Sequence, residues 1–332
     1  MTAMTDNLDI LAIAAHRDDV EQTCGGTLLK MAQRGYRTGI LDLTQGEMGT
    51  RGTAEERARE ATEAARILRV SWRHALDIPD GRVENTWENR LKVARVIREQ
   101  RPRVVILPYW EGRHPDHYTT SKLGYAACFV AGLAKLDMKM GGSTGVGATV
   151  EGHGFSGAER IPEPAALAAE ALPAHRPFKI IYATLYYDIR PTFVVDITDQ
   201  FETRFQSLIA YKSQFTDQEA GKDFFPAQAD IHARTEAMAR FYGMMGGVTY
   251  AEPFLQKEVG LVEDLLQIPV SRSEGTLSAD AFASSLERHR NPIPNGQNRG
   301  KQIGRTIEQP VEFQNGFGSG LSRILLSNLP TP

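Results

Sequence analysis

The sequence predicts an α/β fold in which a mostly parallel sheet carries helices on both faces. Three observations support this prediction. Short apolar runs alternate with amphipathic stretches along the N-terminal third of the chain, as repeated strand-helix units do. The apolar runs are nearly continuous, which is typical of parallel strands buried on both faces. Gly35 and Pro102 separate the units at the points where helices are expected to end.

The first three units are defined by the periodicity of their apolar residues. The predicted strands are residues 8–14, 38–43 and 104–107, and the predicted helices are residues 27–34, 55–68 and 87–100. Gly35 follows the first helix as a C-terminal glycine. Asn85 and Glu88 are spaced as a capping box for the third helix, and Pro102 marks its end. These repeats predict a parallel sheet with helices on both faces.

The pattern resumes in the C-terminal half after an interruption. The predicted strands there are residues 179–187, 192–197 and 247–255, and the predicted helices are residues 198–214 and 227–245. Residues 140–177 interrupt the pattern with seven glycines between 141 and 157 and four prolines, which predicts a mobile insertion or lid. Residues 271–332 are rich in Gly, Pro, Ser and Asn, which predicts a disordered tail. We therefore expect one domain over residues 1–270, followed by this tail.

Composition excludes several classes of function. The 332 residues contain 38 Lys and Arg against 41 Asp and Glu, a net charge of −3, so neither nucleic acid nor an anionic membrane surface is an expected partner. No apolar run is long enough to span a membrane, and no secretion signal precedes the first strand. These features predict a cytoplasmic protein with a small-molecule partner, and leave a homo-oligomer open. With two cysteines, Cys24 and Cys128, a metal site must use His, Asp or Glu.

The first group of reactive side chains directly follows the first strand. It contains His16, Asp18 and Asp19 within the segment 15–21. Ligands of open parallel sheets bind beyond the carboxyl ends of the strands, so these side chains are expected to face the active site. His16 and Asp19 supply two ligands of a hydrolytic zinc, and the adjacent Asp18 can accept a proton from a metal-bound water. The alternative is a solvated acidic turn that caps the next helix.

The second group, Arg113 to His117, follows the strand at 104–107. His114 and His117 are expected to give one acid-base group and one metal ligand from a rigid loop. Together with the first group they complete a His, Asp, His set at one edge of the sheet, which predicts a metal-dependent hydrolase. A third segment, residues 46–52, carries Arg51, which either pairs with an anionic ligand or lies in a flexible, solvated loop.

These segments resemble the LmbE/PIG-L family of zinc-dependent N-acetylglucosaminyl deacetylases. The likeness rests on AHRDDVE at 15–21, CGGTL at 24–28, GEMGTRG at 46–52 and RHPDH at 113–117. Softer matches at 78–81, 193–197, 211–215 and 250–254 are most similar to the bacillithiol-biosynthesis branch. The resemblance covers about residues 8–267.

The resemblance implies a Rossmann-like fold and hydrolysis of N-acetylglucosaminyl-malate to acetate and glucosaminyl-malate. The implied zinc ligands are His16, Asp19 and His117, although another divalent metal would also fit. The other implied roles are Asp18 as general base, His114 as oxyanion stabiliser or proton donor, Asp116 as the residue that orients His114, and Arg51 and Arg113 as substrate-side arginines. Arg17 stands where the family usually has proline, which loosens the turn and adds a cation near the metal.

Three alternatives follow from the same residues. Another N-acetylglucosamine conjugate, such as a mycothiol precursor, a glycan or a lipid-linked sugar, is an alternative substrate. Arg17 leaves open a non-catalytic, metal-free homologue. A nucleotide-binding module is disfavoured because the first turn lacks the G-x-G-x-x-G pattern and its acidic residues would repel a pyrophosphate.

Overall fold

The computed structural model describes residues 7–138, 172–184, 189–216 and 227–264. The strands of these residues are β1 (Ile10–Ala14), β2 (Thr38–Asp42), β3 (Trp72–Ala75), β4 (Val104–Pro108), β5 (Lys179–Ala183), β6 (Phe193–Asp196) and β7 (Ala251–Leu255). The helices are α1 (Asp19–Thr23), α2 (Gly25–Gln33), α3 (Ala54–Ile67), α4 (Trp87–Gln100), α5 (Pro115–Ala131), α6 (Phe201–Ile209), α7 (Lys212–Phe215) and α8 (Gln228–Gly246).

The strands form a single sheet in the order β3-β2-β1-β4-β5-β7-β6. The first five strands in this order are parallel, and β7 pairs antiparallel with both β5 and β6. The mostly parallel sheet predicted from the sequence is therefore confirmed. Because β1 lies between β2 and β4, the loops that follow these strands meet at one edge of the sheet.

Helices pack on both faces of the sheet because the side chains of each strand alternate. On β1, Leu11 and Ile13 join a core with α4 and α5, whereas Ala12 and Ala14 join a second core with α1, α2 and α3. All four residues are 2% exposed or less. The near-continuous apolar run thus reflects a strand with two buried faces.

The structure corrects the predicted boundaries at three places. Thr86, not Asn85, caps α4, because its hydroxyl accepts from the Asn89 amide while Asn85 accepts from the side chain of Arg90. The predicted rigid loop at 113–117 is in fact the start of α5, with Pro115 at its first position. The predicted helix at 198–214 is divided into α6 and α7, where Tyr211 leaves the helical conformation.

Every described residue belongs to one compact unit, residues 1–276. The predicted disordered tail lies outside the described residues, and so does most of the predicted insertion or lid, of which only 172–177 are described. Tyr186 and Tyr187, at the predicted end of β5, also fall outside them. No helix in the described ranges is long and apolar enough to cross a membrane.

Candidate active site

The fold brings the two predicted groups of reactive side chains together. The first group follows β1 and the second follows β4, and these strands are neighbours that pair in parallel. Both groups therefore project from the same edge of the sheet, as expected of a ligand site in an open α/β fold.

Three side chains converge on one point at this edge. His16 Nδ1 lies 3.2 Å from His117 Nε2 and 3.5 Å from Asp19 Oδ2, and His117 Nε2 lies 3.1 Å from Asp19 Oδ1. Ligand atoms around a tetrahedral zinc, with bonds of about 2.0–2.1 Å, are about 3.3–3.4 Å apart. The donor set and its spacing therefore fit a divalent metal with one open position.

The charges of these groups depend on one another. Burial disfavours ionisation of Asp19, but the facing imidazoles of His117 and His16 outweigh it and hold the pKa of Asp19 well below its usual value. Burial likewise disfavours the charged form of His117, but Asp19 outweighs it and raises the pKa of His117. The site thus favours an ionised carboxylate between two imidazoles, the form that a metal requires of Asp19.

His16 contacts carboxylates through its other ring nitrogen as well. Its Nε2 lies 3.1 Å from Asp80 Oδ1 and 3.4 Å from Asp116 Oδ2. Burial opposes a charge on His16, but Asp19, Asp116 and Asp80 together outweigh it and raise the pKa of His16 to about 12. Carboxylates at Nε2 keep a proton on that nitrogen, so a metal at Nδ1 would displace only the Nδ1 proton.

Asp80 was not among the predicted site residues, although its segment was part of the family resemblance. It follows β3, a strand that the sequence analysis did not predict, so the usable signal was the family likeness of residues 78–81. Its Oδ2 accepts from the Met48 amide, and its own amide donates to Glu47 Oε1. Asp80 therefore links the loop after β2 to His16.

Asp18 lies beside the three converging side chains. Its Oδ1 accepts from Arg57 Nη2 at 3.0 Å and its Oδ2 from Gln22 Nε2 at 3.1 Å. Burial raises the pKa of Asp18, and the Arg57 guanidinium opposes that shift. Arg57, which the sequence analysis did not single out, also donates to the Gly46 carbonyl, so it fixes the carboxylate from α3.

His114 caps the N-terminus of α5. Its Nδ1 accepts from the backbone amide of Asp116 at 3.2 Å, so a neutral His114 carries its proton on Nε2. Burial, His16 and His117 lower the pKa of His114. The Asp116 carboxylate was expected to orient His114, but it accepts from the amides of Gly81 and Val83 and contacts His16 instead.

The two predicted substrate-side arginines and Arg17 lie in different environments. Arg113 is exposed and lines the cavity described below. Arg51 is 4% exposed, and its Nη1 donates to the Gln214 carbonyl while Gln214 Nε2 donates to the Arg51 carbonyl. Arg17 is buried, and its guanidinium donates to the Ala54 carbonyl at the start of α3. The structure therefore brings Arg113, but not Arg51, to the cavity wall.

The turn that contains Arg17 is held by a buried network that sequence reasoning missed. The Arg17 carbonyl accepts from Arg73 Nη2 and from the Tyr211 hydroxyl. Arg73 also pairs with Glu21 at 2.6 Å and with Asp42 at 2.9 Å. This network constrains the backbone between His16 and Asp18 in the absence of a proline there.

A cavity of about 620 Å³ opens over the converging side chains. Its walls include Asp19, His114 and His117 together with apolar residues of β1, β4 and β5, such as Ala14, Ile106 and Ala183. Tyr109, Glu111 and Arg113 line it from the loop after β4. This volume falls in the range of small-molecule sites.

Comparisons with known proteins agree with this chemistry. A family model described as GlcNAc-PI de-N-acetylase (PIG-L) matches residues 11–128. The diacetylchitobiose deacetylase of Thermococcus kodakarensis is 30% identical over 254 residues, which cover 73% of this chain and 80% of that protein.

Two solved structures share the fold. A conserved protein of Thermus thermophilus is 36% identical with a TM-score of 0.61, and the match covers 80% of this chain and 100% of the other. The N,N'-diacetylchitobiose deacetylase of Pyrococcus horikoshii has a TM-score of 0.57 at 23% identity, and the match covers 74% and 82% of the two chains.

Proposed function

The chain belongs to the PIG-L/LmbE family of deacetylases, which hydrolyse amide bonds, and on this premise we propose that it deacetylates N-acetylglucosaminyl-malate in bacillithiol biosynthesis. The products are acetate and glucosaminyl-malate, and the setting is the cytoplasm. The observation that carries the proposal is the convergence of His16, Asp19 and His117 beside a cavity of small-molecule size.

In this proposal, His16, Asp19 and His117 would hold a zinc ion. Its ligands are His16 Nδ1, an Asp19 oxygen and His117 Nε2, because these atoms have the mutual spacing that tetrahedral zinc requires. When bound, zinc polarises the acetyl carbonyl and makes the attacking water more acidic. Asp80 and Asp116 keep His16 in the tautomer that can bind it.

The protein's own side chains move the protons. Asp18 accepts the proton of the water that attacks the acetyl carbon, and Arg57 keeps that carboxylate in place. His114 donates a hydrogen bond from Nε2 to the oxygen that becomes negative, since its Nδ1 already accepts from the Asp116 amide. Asp18, which then carries the proton, protonates the leaving amine, so the deacetylated sugar and acetate are released.

Arg113 makes the contact that distinguishes a malate conjugate from a neutral sugar. Its guanidinium is exposed in the cavity wall, where a carboxylate of the substrate can pair with it. Arg51, the other proposed substrate-side arginine, is buried against Gln214, so we assign it an indirect part in which it positions the loop at 46–52.

One other substrate class is favoured by a specific observation. The relative from Thermococcus kodakarensis is named for diacetylchitobiose, a neutral glycan, and it is 30% identical to this chain. A glycan substrate would need no contact with Arg113. The assay below therefore compares the two classes of substrate directly.

The experiment measures kcat/KM on N-acetylglucosaminyl-malate and on diacetylchitobiose, before and after removal of metal by a chelator. We expect preference for the malate conjugate, loss of activity on chelation and recovery with about one zinc per chain. Arg113→Ala should weaken the malate reaction by about 1.5–3 kcal/mol and leave the glycan reaction nearly unchanged.

Arg51→Ala is the matched control, since a residue that acts through the loop should affect both substrates equally. A preference for the glycan, with no effect of Arg113→Ala, would assign the substrate to the second class. Full activity without metal would overturn the mechanism.

A further inference from the structure

The amine of Lys257, an exposed residue next to the cavity, lies over three aromatic rings. Lys257 Nζ lies 4.8 Å from the ring centre of Trp110, 4.9 Å from that of Tyr125 and 5.0 Å from that of Tyr182. Each distance is within the range of about 6 Å at which a cation is attracted to an aromatic face. These three aromatic residues are called the aromatic cage below.

The cage is built from separate parts of the fold. Trp110 is in the loop between β4 and α5, Tyr125 is on α5, Tyr182 is on β5, and Lys257 follows the end of β7. The Trp110 and Tyr182 rings pack edge to face at 4.9 Å between centres. The cage therefore connects the chain after the last strand to the loop after β4.

The polar groups in and around the cage are consistent with binding of an ammonium group. Tyr182 is 1% exposed, and its hydroxyl has no hydrogen-bond partner among the described residues. Within the same part of the chain, the Lys257 amine makes the three ring contacts and no ion pair. Among the described residues, the polar interaction that the Lys257 amine makes is thus its attraction to the rings.

Trp110 lies in the middle of the loop that forms one wall of the cavity. Its neighbours Tyr109 and Glu111 line the cavity, as do Gly112 and Arg113, whereas Trp110 packs on the hydrophobic core and faces Lys257. The amide of Tyr109 donates to the Ala183 carbonyl, which fixes the start of the loop. Trp110 is therefore the point at which the rest of the loop is anchored.

We infer that the aromatic cage is a binding site for an ammonium group, and that Lys257 fills it to position the cavity loop at 109–113. Lys257 is a positioning residue, since it acts on the cavity through Trp110. This role does not depend on which acetylated sugar is the substrate.

The first test is hydrogen exchange of peptides that cover residues 109–113, measured on the full-length protein. Lys257→Met keeps the length of the side chain but removes its charge, so exchange in these peptides should rise about threefold to tenfold. Lys257→Arg keeps a cation and should retain protection.

Lys122→Met is the matched control, because Lys122 Nζ lies 5.5 Å from the Tyr118 ring on α5, which is not part of the cage. It should leave exchange at 109–113 unchanged. The melting temperature of each variant shows whether it is folded. Unchanged exchange in a folded Lys257→Met protein would overturn the inference.

The second test fills the emptied cage from solution. In Lys257→Ala, propylammonium should restore protection at 109–113, whereas propanol, of nearly the same size without the charge, should not. Equal restoration by both, or by neither, would overturn the assignment of an ammonium site.

In kinetic assays, Lys257→Met should raise KM about threefold to tenfold and leave kcat within about twofold. Propylammonium should reverse the KM effect in Lys257→Ala.

Discussion

His16 makes polar contacts through both ring nitrogens, and the contacts of one nitrogen affect what the other can bind. Nδ1 faces Asp19 and His117, and Nε2 faces Asp80 and Asp116. The carboxylates at Nε2 determine the tautomer, and the tautomer determines whether Nδ1 can bind a metal. We therefore expect metal affinity to depend on residues that do not touch the metal.

Asp80→Asn should weaken zinc binding by about 10–100-fold, because an amide holds the His16 tautomer less firmly than a carboxylate does. The measurement is the zinc Kd from competition with a coloured chelator. Asp77→Asn is the control, since Asp77 pairs with Lys92 at the surface after the same strand. An unchanged Kd in Asp80→Asn would show that the contact with Nε2 does not tune the metal site.

Asp18→Asn should keep the metal but lower kcat by about 100-fold or more, because an amide cannot accept the proton of the attacking water. The Asn side chain can still accept from Arg57, so the local structure should persist. Metal analysis and steady-state kinetics on the same preparation separate the two effects. If the variant kept both its zinc content and its kcat, the general base would be another residue.

Arg98 shows how one element organises the two ends of the predicted insertion. Its guanidinium donates to the carbonyls of Ala131, Leu133, Leu136 and Leu172, and the Leu172 amide donates to the Met138 carbonyl. The chain thus leaves at Met138 and returns at Leu172 at adjacent points. These points lie at the C-terminal end of α5, about 25 Å along the helix from its first turn, where His114 and His117 lie.

Replacement of residues 139–171 by a short glycine-serine linker should therefore leave the melting temperature within about 3 °C and kcat/KM within about threefold. Calorimetry measures the melting temperature, and steady-state kinetics measure kcat/KM. Arg98→Met in the full chain is the contrasting variant. It should lower the free energy of unfolding by about 3 kcal/mol, because buried carbonyls lose a charged donor. A large loss of kcat/KM in the linker variant would support the predicted lid.

The site residues all belong to one compact unit, residues 1–276. The composition of residues 271–332 cannot bury a hydrophobic core, so their deletion should leave activity and melting temperature nearly unchanged. Kinetics, calorimetry and sedimentation of the truncated protein test this. A fall in melting temperature or a change of oligomeric state would show that the tail packs on the protein or assembles it.

Local sequence determined most of the secondary structure and the donor residues. Strands with two buried faces must be apolar along their length, and β1, β2 and β4 were therefore visible as short runs. His16, Asp19 and His117 lie just beyond two such runs, so their residue types and positions pointed to a metal site. The sequence did not identify the N-cap of α4, because Asn85 and Thr86 are both good capping residues. The backbone conformation places Thr86 at the N-cap.

The tertiary structure decided which distant side chains meet the site. Asp80, Arg57 and Tyr211 come from three different parts of the fold, and their contacts with residues 16–18 required the order in which the strands and helices pack. The same packing buried Arg51 against Gln214 while leaving Arg113 in the cavity wall. Local sequence carries no information on such contacts, because burial and pairing depend on what the rest of the chain places nearby.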